Sequence, residues 1–252
     1  MSLDKLVSII TPAYKAANTI TQTIESVLTQ SYPHWELLIA DDCSPDTTAQ
    51  VVSHFAAQDA RIKLIGLAHN GGPARARNAA LEQARGRWIA FLDSDDVWPA
   101  NKLERSLNFA RSTQAALVFT GFRRMSADGE KLGRRIQVPT TLTYHQLLGN
   151  TAIATSTVLL DRQQCGEVRM QNVFYDDFVC WLGILKKGLV AHGLNEDLMH
   201  YRVQAQSLSR NKKRSAVEVW KTYRHTEGLN CWHSAWYFMH YAARAWLKYR
   251  KF

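Results

Sequence analysis

The run Trp88-Ile89-Ala90-Phe91-Leu92-Asp93-Ser94-Asp95-Asp96 passes directly from five apolar residues to a cluster of acids. Five apolar residues in a row suit a strand buried on both faces, and such strands belong to parallel sheets covered by helices on both sides. In those sheets, ligands bind beyond the carboxyl ends of the strands. This run therefore predicts both an architecture and the rim on which its chemistry stands.

The pattern recurs upstream. Val7-Ser8-Ile9-Ile10 reads as a buried strand ending at Thr11-Pro12, Leu37-Leu38-Ile39-Ala40 closes on Asp41-Asp42, and Ile62 to Ile65 is a third strand. Helical periodicity fills the gaps. Asn18 is a plausible N-cap for Ile20, Ile24, Val27 and Leu28, and Asp46 for Val51, Val52 and Phe55. Gly71-Gly72-Pro73 opens a helix through Ala84 that Gly86 stops. Strands alternating with helices predict an α/β chain with a mostly parallel central sheet and helices on both faces.

The second part is less regular. Leu117-Val118-Phe119, Ser156 to Leu160 and Met199 to Val203 read as strands, and Phe178 to Lys187 as a helix with Gly188 behind it. No repeat or linker separates the parts, so one sheet is expected to run through both. The expected division is residues 1–110 for one half, 111–210 for the other and 211–252 for a helical tail.

Composition excludes several classes. The 252 residues are 46% hydrophobic and 21% charged, close to ordinary globular averages. Cys43, Cys165, Cys180 and Cys231 form no CxxC pair, so they read as free thiols of a reducing cytoplasm. No signal peptide and no apolar run long enough to span a bilayer is visible, so the expected location is cytoplasmic.

Asp93, Asp95 and Asp96 crowd three carboxylates into four positions. Like charges this close repel unless a cation neutralises them. Mg²⁺ or Mn²⁺ suits oxygen ligands, and magnesium usually combines one or two carboxylates with substrate phosphates. That points to a phosphate-bearing substrate. The alternative is a solvated acidic loop before the helix that follows Pro99.

Taken in order, the motifs are more specific than any one of them. Val7 to Tyr14, Glu25-Ser26-Val27-Leu28-Thr29-Gln30, Glu36 to Asp46, Asn70-Gly71-Gly72, Arg77-Asn78 and Phe91 to Asp96 together resemble family 2 glycosyltransferases. The resemblance runs from about residue 6 to 110 and resumes near 174–209. It implies a GT-A fold, a nucleoside diphosphate sugar as donor and inversion at the anomeric carbon. Position by position, it implies that Pro12 and Tyr14 line the nucleoside pocket, where a Tyr ring offers a face for a base. The other reading of Tyr14 is a packing residue. Asp42 would accept a hydrogen bond from the base, often uracil, while Asp41 orients the loop. Asp93 would contact the ribose or a metal-bound water, Asp95 would hold the metal on the diphosphate, and Asp96 would bond to a ligand rather than to the ion. Arg77 would balance the acids, reach a phosphate, or form a plain ion pair.

Tyr175-Asp176-Asp177-Phe178 resembles the family's Glu-Asp motif before a helix, with Asp176 where Glu is usual. Asp177 then matches the catalytic base and Asp176 helps position the acceptor; a simple helix N-terminus is the competing reading. Tyr201-Arg202 followed by Ser207 and Ser209 resembles the closing segment, which implies that Arg202 folds over the diphosphate. His200 would complete the metal shell or be structural. The QxxRW motif of processive synthases is absent, which argues for one sugar per encounter, on a glycan or lipid-linked acceptor of lipopolysaccharide, capsule or exopolysaccharide synthesis.

Charge is uneven. Of a net +9, residues 211–252 carry nine Lys/Arg against two Glu, a net +7, and ten of the 26 aromatics. Leu229, Trp232, Trp236, Met239, Ala243 and Trp246 fall on one helical stripe, with His233, His240, Arg244, Lys248 and Lys251 mostly off it. Tryptophan beside Lys/Arg suits an anionic membrane surface. The other reading packs the helix on the domain or in a homodimer. A sugar-1-phosphate nucleotidyltransferase would want a Gly-rich loop after the first strand, and Thr11-Pro12-Ala13-Tyr14-Lys15 has no glycine. A non-enzymatic basic membrane-binding module leaves the acidic rim unexplained. A nucleic-acid groove would want positive charge where those acids stand.

Overall fold

The computed structural model describes residues 3–150, 152–204 and 212–250. Ser207 and Ser209, and the side chain of Trp246, lie outside the described residues.

The first half alternates strand and helix: β1 (Val7–Ala13), α1 (Ile20–Leu28), β2 (Trp35–Asp41), α2 (Thr48–Gln58), β3 (Ile62–Gly66), α3 (Pro73–Gln83), β4 (Trp88–Phe91) and α4 (Lys102–Thr113). Next come β5 (Leu117–Met125), β6 (Leu132–Ile136), β7 (Thr141–Leu142), α5 (Tyr144–Leu148), β8 (Leu159–Asp161), α6 (Arg162–Cys165), α7 (Asp176–Leu185) and β9 (Ala191–Arg202). The chain closes with α8 (Lys212–Lys221), a π-helical turn over Thr222–Thr226 and α9 (Cys231–Arg250).

One sheet runs in the order β3-β2-β1-β4-β8-β5-β9-β7, with β6 paired to β5. The pairs β3–β2, β2–β1, β1–β4 and β5–β9 are parallel. Strand β8 is antiparallel to both β4 and β5 and joins the two halves. The division expected at residue 110 falls inside α4.

Alternate residues feed two cores. Ile10, Leu38 and Phe91 face α3, α5 and α7 on one side of the sheet. Ile9, Leu37 and Ile39 face α1, α2 and α4 on the other. Burial of these side chains, each worth about 1.5–3 kcal/mol, outweighs local propensity and fixes the register. At the end of the strands opposite the acids, buried Glu36 accepts from Ser8 Oγ at 2.7 Å and from the Arg85 amide at 2.9 Å. Gly86 is needed there, because a Cβ would meet the Leu6 carbonyl oxygen at 2.5 Å.

Several boundaries differ from the expectations. Strand β1 continues through Pro12, because β4 pairs with it only as far as Ile10 and leaves that side of Pro12 without a neighbour. Asn18 does not cap α1. The cap position is Thr19, whose hydroxyl donates instead to the Ser94 carbonyl at 2.9 Å. Asp46 does serve α2, accepting from the Thr48 amide at 3.1 Å. Thr155–Thr157 is a 3-10 turn, and the strand after it is only Leu159–Asp161.

Candidate active site

Strands β1, β2 and β4 deliver their carboxyl ends to one rim. Pro12, near the end of β1, is half-buried, and Tyr14, just past it, is exposed with Lys15 Nζ 5.3 Å from its ring centre. Lys15 and Cys43 both adopt left-handed backbone, at φ 52° and 59°, on the neighbouring loops after β1 and β2. The Lys15 amide donates to Ser44 Oγ at 3.0 Å and ties those loops together. Backbone strain of this kind tends to gather at functional sites.

Asp41 accepts from the Ser44 amide at 3.1 Å and so shapes its own loop. Asp42 is 3% exposed, and its two oxygens accept the amides of Gly71 and Gly72 at 2.8 and 2.7 Å. Gly72, at φ 87°, supplies the left-handed backbone that turns both amides inward before α3. Asp42, expected to meet a base, thus also holds the Asn70-Gly71-Gly72 loop.

Asp93 and Asp95 face the cleft with partial exposure, whereas Asp96 is buried. Ser156 Oγ donates to Asp96 at 2.5 Å and accepts the Asp93 amide at 3.0 Å. The Arg202 amide donates to the other Asp96 oxygen at 3.0 Å. Asp96 thus holds the loop and presents no free oxygen. Burial pushes its carboxyl well above the usual range, helped by the charges of Asp95 and Asp93. Burial and the Asp93 charge push Asp95 up to about 6. Gln204 Nε2 donates to Asp95 at 3.0 Å.

Arg77 comes from α3 and is 6% exposed. Its Nη2 lies 2.6 Å from Asp93 Oδ1 and its Nη1 lies 2.6 Å from Asp176 Oδ2, so it balances the acids through two ion pairs. Burial works against its charge, but Asp93, Asp176 and Asp177 outweigh burial and keep it protonated. Burial raises the Asp176 carboxyl, and Arg77 opposes that effect.

Asp177 stands beside Asp176 in the first turn of α7, where the helix dipole favours negative charge. Thr155 Oγ1 donates to Asp177 Oδ2 at 2.5 Å. A closed circuit results: Asp93 to Arg77, Arg77 to Asp176, and on through Asp177 and Thr155 to Ser156, which bonds back to Asp93. The glycine loop held by Asp42 opens the helix that carries Arg77. The structure therefore joins Asp93, Arg77, Asp176 and Asp177 by ion pairs and chain continuity, with Asp95 on the same loop as Asp93 and Asp42 on the same rim after β2.

Arg202 and His200 stand behind the acidic loop. Arg202 is 2% exposed. Its Nε donates to the Asp95 carbonyl at 2.8 Å, its Nη1 to the Ala127 carbonyl at 2.9 Å, and its Nη2 to Gln22 Oε1. A guanidinium at the end of β9 is buried by packing and must find acceptors, so it props the Asp95 loop from behind. The His200 ring faces Asp197 at 3.9 Å, and burial lowers its pKa. Its main chain, not its ring, serves the acidic loop by pairing with Val97. Thr155, Ser156 and Gln204 were missed, because nothing in their local sequence marks them.

A family model described as Glycosyl transferase family 2 matches residues 8–165. The chain belongs to that family. Among curated relatives of this family 2 glycosyltransferase is the putative teichuronic acid biosynthesis glycosyltransferase TuaG of Bacillus subtilis (strain 168). It is 45% identical over 241 residues, covering 95% of this chain and 96% of that one. The UDP-Glc:alpha-D-GlcNAc-diphosphoundecaprenol beta-1,3-glucosyltransferase WfgD of Escherichia coli is 38% identical over 218 residues, covering 86% and 85%. Among solved structures, the mannosyltransferase PcManGT from Pyrobaculum calidifontis in complex with GDP-Man and Mn²⁺ superposes with a TM-score of 0.71. It shares 18% identity and covers 94% of this chain and 73% of its own. The fold of the family 2 chain is accordingly GT-A.

Among the described residues, no three His, Cys, Asp or Glu side chains come together to hold a metal by themselves. A hard cation that takes much of its shell from a diphosphate does not need three. Two partly exposed carboxylates, one with its ionisation opposed by burial and a neighbouring charge, fit such an ion.

Proposed function

We propose that this enzyme inverts the anomeric centre as it moves one sugar from a nucleoside diphosphate sugar, first among them a UDP-sugar, to a hydroxyl of a lipid-linked or glycan acceptor in cell-surface polysaccharide synthesis. The names of the two curated relatives support the substrate class: one acts in teichuronic acid synthesis, the other on a UDP-sugar and a diphosphoundecaprenol-linked acceptor. Such an acceptor sits at a membrane, which favours work at the cytoplasmic face. The observation that carries the mechanism is the circuit through Arg77 that joins the acids after β4 to Asp177.

In this reading the Tyr14 ring stacks on the base beside Pro12, and Asp42 fixes the loop that closes the pocket. Asp95 and Asp93 would hold Mn²⁺ or Mg²⁺, which would supply Lewis-acid stabilisation to the departing diphosphate. Asp177 accepts the proton of the acceptor hydroxyl as its oxygen attacks the anomeric carbon from the face opposite the leaving group. Thr155 holds Asp177 in place at the α7 N-terminus. Arg77 bridges Asp93 and Asp176 through two ion pairs, and Asp176 borders the acceptor.

The test is a pair of variants. Asp177→Asn should bind UDP-sugar with Mn²⁺ as tightly as the wild type, read by thermal shift, and lose transfer by at least a hundredfold. Asp95→Ala should lose the metal-dependent part of donor binding. Normal turnover in the Asn variant would remove Asp177 as the base.

A further inference from the structure

Helix α9 has two faces of opposite fate. Its inner face carries fully buried Ser234, and Tyr237, Phe238 and Tyr241 pack on the core. Tyr237 Oη meets His145 Nδ1 at 2.9 Å, and Arg244 Nη1 donates to the Gly149 carbonyl at 2.9 Å. The unit is therefore seated firmly on α5. Its outer face carries Trp232, 86% exposed, Trp236, 57%, and Met239, 60%. These three fall on the stripe expected from the sequence and point away from the protein, whereas Leu229 of the same stripe packs on the core. On α8, Val217 and Trp220 are also exposed, and Trp220 is set edge-on to Phe238 at 5.9 Å.

We propose that the outer face of α9 is a docking surface for an anionic lipid bilayer, lying in the headgroup layer rather than crossing it. No helix among the described residues is long and apolar enough to cross. Two exposed indoles at i and i+4, with Met239 on the same face, suit the headgroup boundary, where an aromatic ring is apolar at one side and wet at the other. Charge selects the occupant. The segment 211–252 has a net +7 while the rest of the chain has only +2. A two-fold interface between copies would set one such segment against another. An anionic surface instead attracts each Lys and Arg. The placement also has a use. Arg214, in α8, lies 4.9 Å over the ring of Phe174, which leads into the loop before Asp176 and Asp177. The docking unit therefore touches the segment that carries the proposed base.

The full-length protein is sedimented with vesicles of phosphatidylglycerol and phosphatidylcholine, and with phosphatidylcholine alone. The expected result is binding to the anionic vesicles only, weakened by salt and accompanied by quenching of tryptophan emission by brominated lipid. Trp232→Gln with Trp236→Gln should lower vesicle binding at least tenfold and abolish most of the quenching, with an unchanged melting temperature because both rings point outward. Lys248→Gln with Arg250→Gln should flatten the salt dependence. Unchanged vesicle binding in the tryptophan variant would overturn the proposal. So would a wild-type dimer that falls to monomers in that variant without any vesicle binding. UDP release with a soluble acceptor is measured on the same variants. It should stay normal, so loss of docking and failure of the transfer reading give separate signals.

Discussion

Thr155 Oγ1 donates to Asp177 Oδ2 at 2.5 Å, and the next residue, Ser156, bonds to Asp93 and Asp96. Two adjacent hydroxyls thus span the cleft, one serving the proposed base and one the acidic loop. Their spacing is set by a single peptide unit, so the base and the donor site cannot drift apart independently.

Thr155→Val keeps the volume and removes the donor. The carboxylate of Asp177 then loses its aim. Misplacement of a reacting group by about 1 Å can cost on the order of a hundredfold. The kcat should fall about ten- to a hundredfold, with the KM for donor unchanged, and Thr155→Ser should restore most of it. Steady-state kinetics with varied donor and acceptor measure the split. A merely structural role would lower the melting temperature in both variants and spare kcat.

Asp95 carries a pH signature. Its carboxyl stands at about 6 in the folded protein against an ordinary 3.8. The folded state therefore holds a proton that the unfolded state has released, and stability falls as pH rises from about 4 to about 6. At about 1.4 kcal/mol per unit, Asp95→Asn should stabilise the metal-free protein by about 2–3 kcal/mol above pH 6 and by almost nothing at pH 4. Mn²⁺ should stabilise the wild type alone, and progressively less below pH 6. Denaturant melts with and without the ion, from pH 4 to 8, test this.

Lys102 is fully buried, its Nζ has no hydrogen-bond partner, and it lies 3.9 Å from the centre of the Trp98 ring. Burial lowers its ammonium to about 7 from 10.5. The unfolded state then holds the extra proton, so stability rises with pH from about 7 to about 10, by about 1.4 kcal/mol per unit at most. Lys102→Met should remove that slope and equal or exceed the wild type at pH 7. Urea midpoints at pH 7, 8 and 9 decide it, and a slope that persists in the variant would refute the assignment.

The parallel half was legible because its signal is local: four apolar runs, each stopping at polar or acidic residues, with helical periodicity between. The acids after β4 announced the rim for the same reason. What stayed hidden depends on contacts distant in sequence. Strand β8 has three residues and finds its place only by pairing with β4 and β5 at once. Arg77 and Asp176 are 99 residues apart, and no spacing rule connects them. The partners of Arg202, Gln22 and the Ala127 carbonyl, were hidden because they belong to elements distant in sequence. The two amides on Asp42 come from a loop 29 and 30 residues on, whose glycines were read as a helix start and a motif but not as its partners. The apolar stripe of α9 was visible, but periodicity alone does not say which face of a helix the domain will cover.

The three residues of β8 have a bearing on how the chain is born. Until they are synthesised, β4 is a bare edge, an apolar strand with nothing on one flank to satisfy its main chain. Arg87 waits as well, because its bidentate partner Asp161 arrives on β8, at 3.0 and 2.7 Å. A nascent chain stopped near residue 110 would therefore expose a sticky border ready to recruit any passing strand. The seam in the middle of the sheet is thus also the clasp whose arrival ends the most vulnerable interval in the protein's biogenesis.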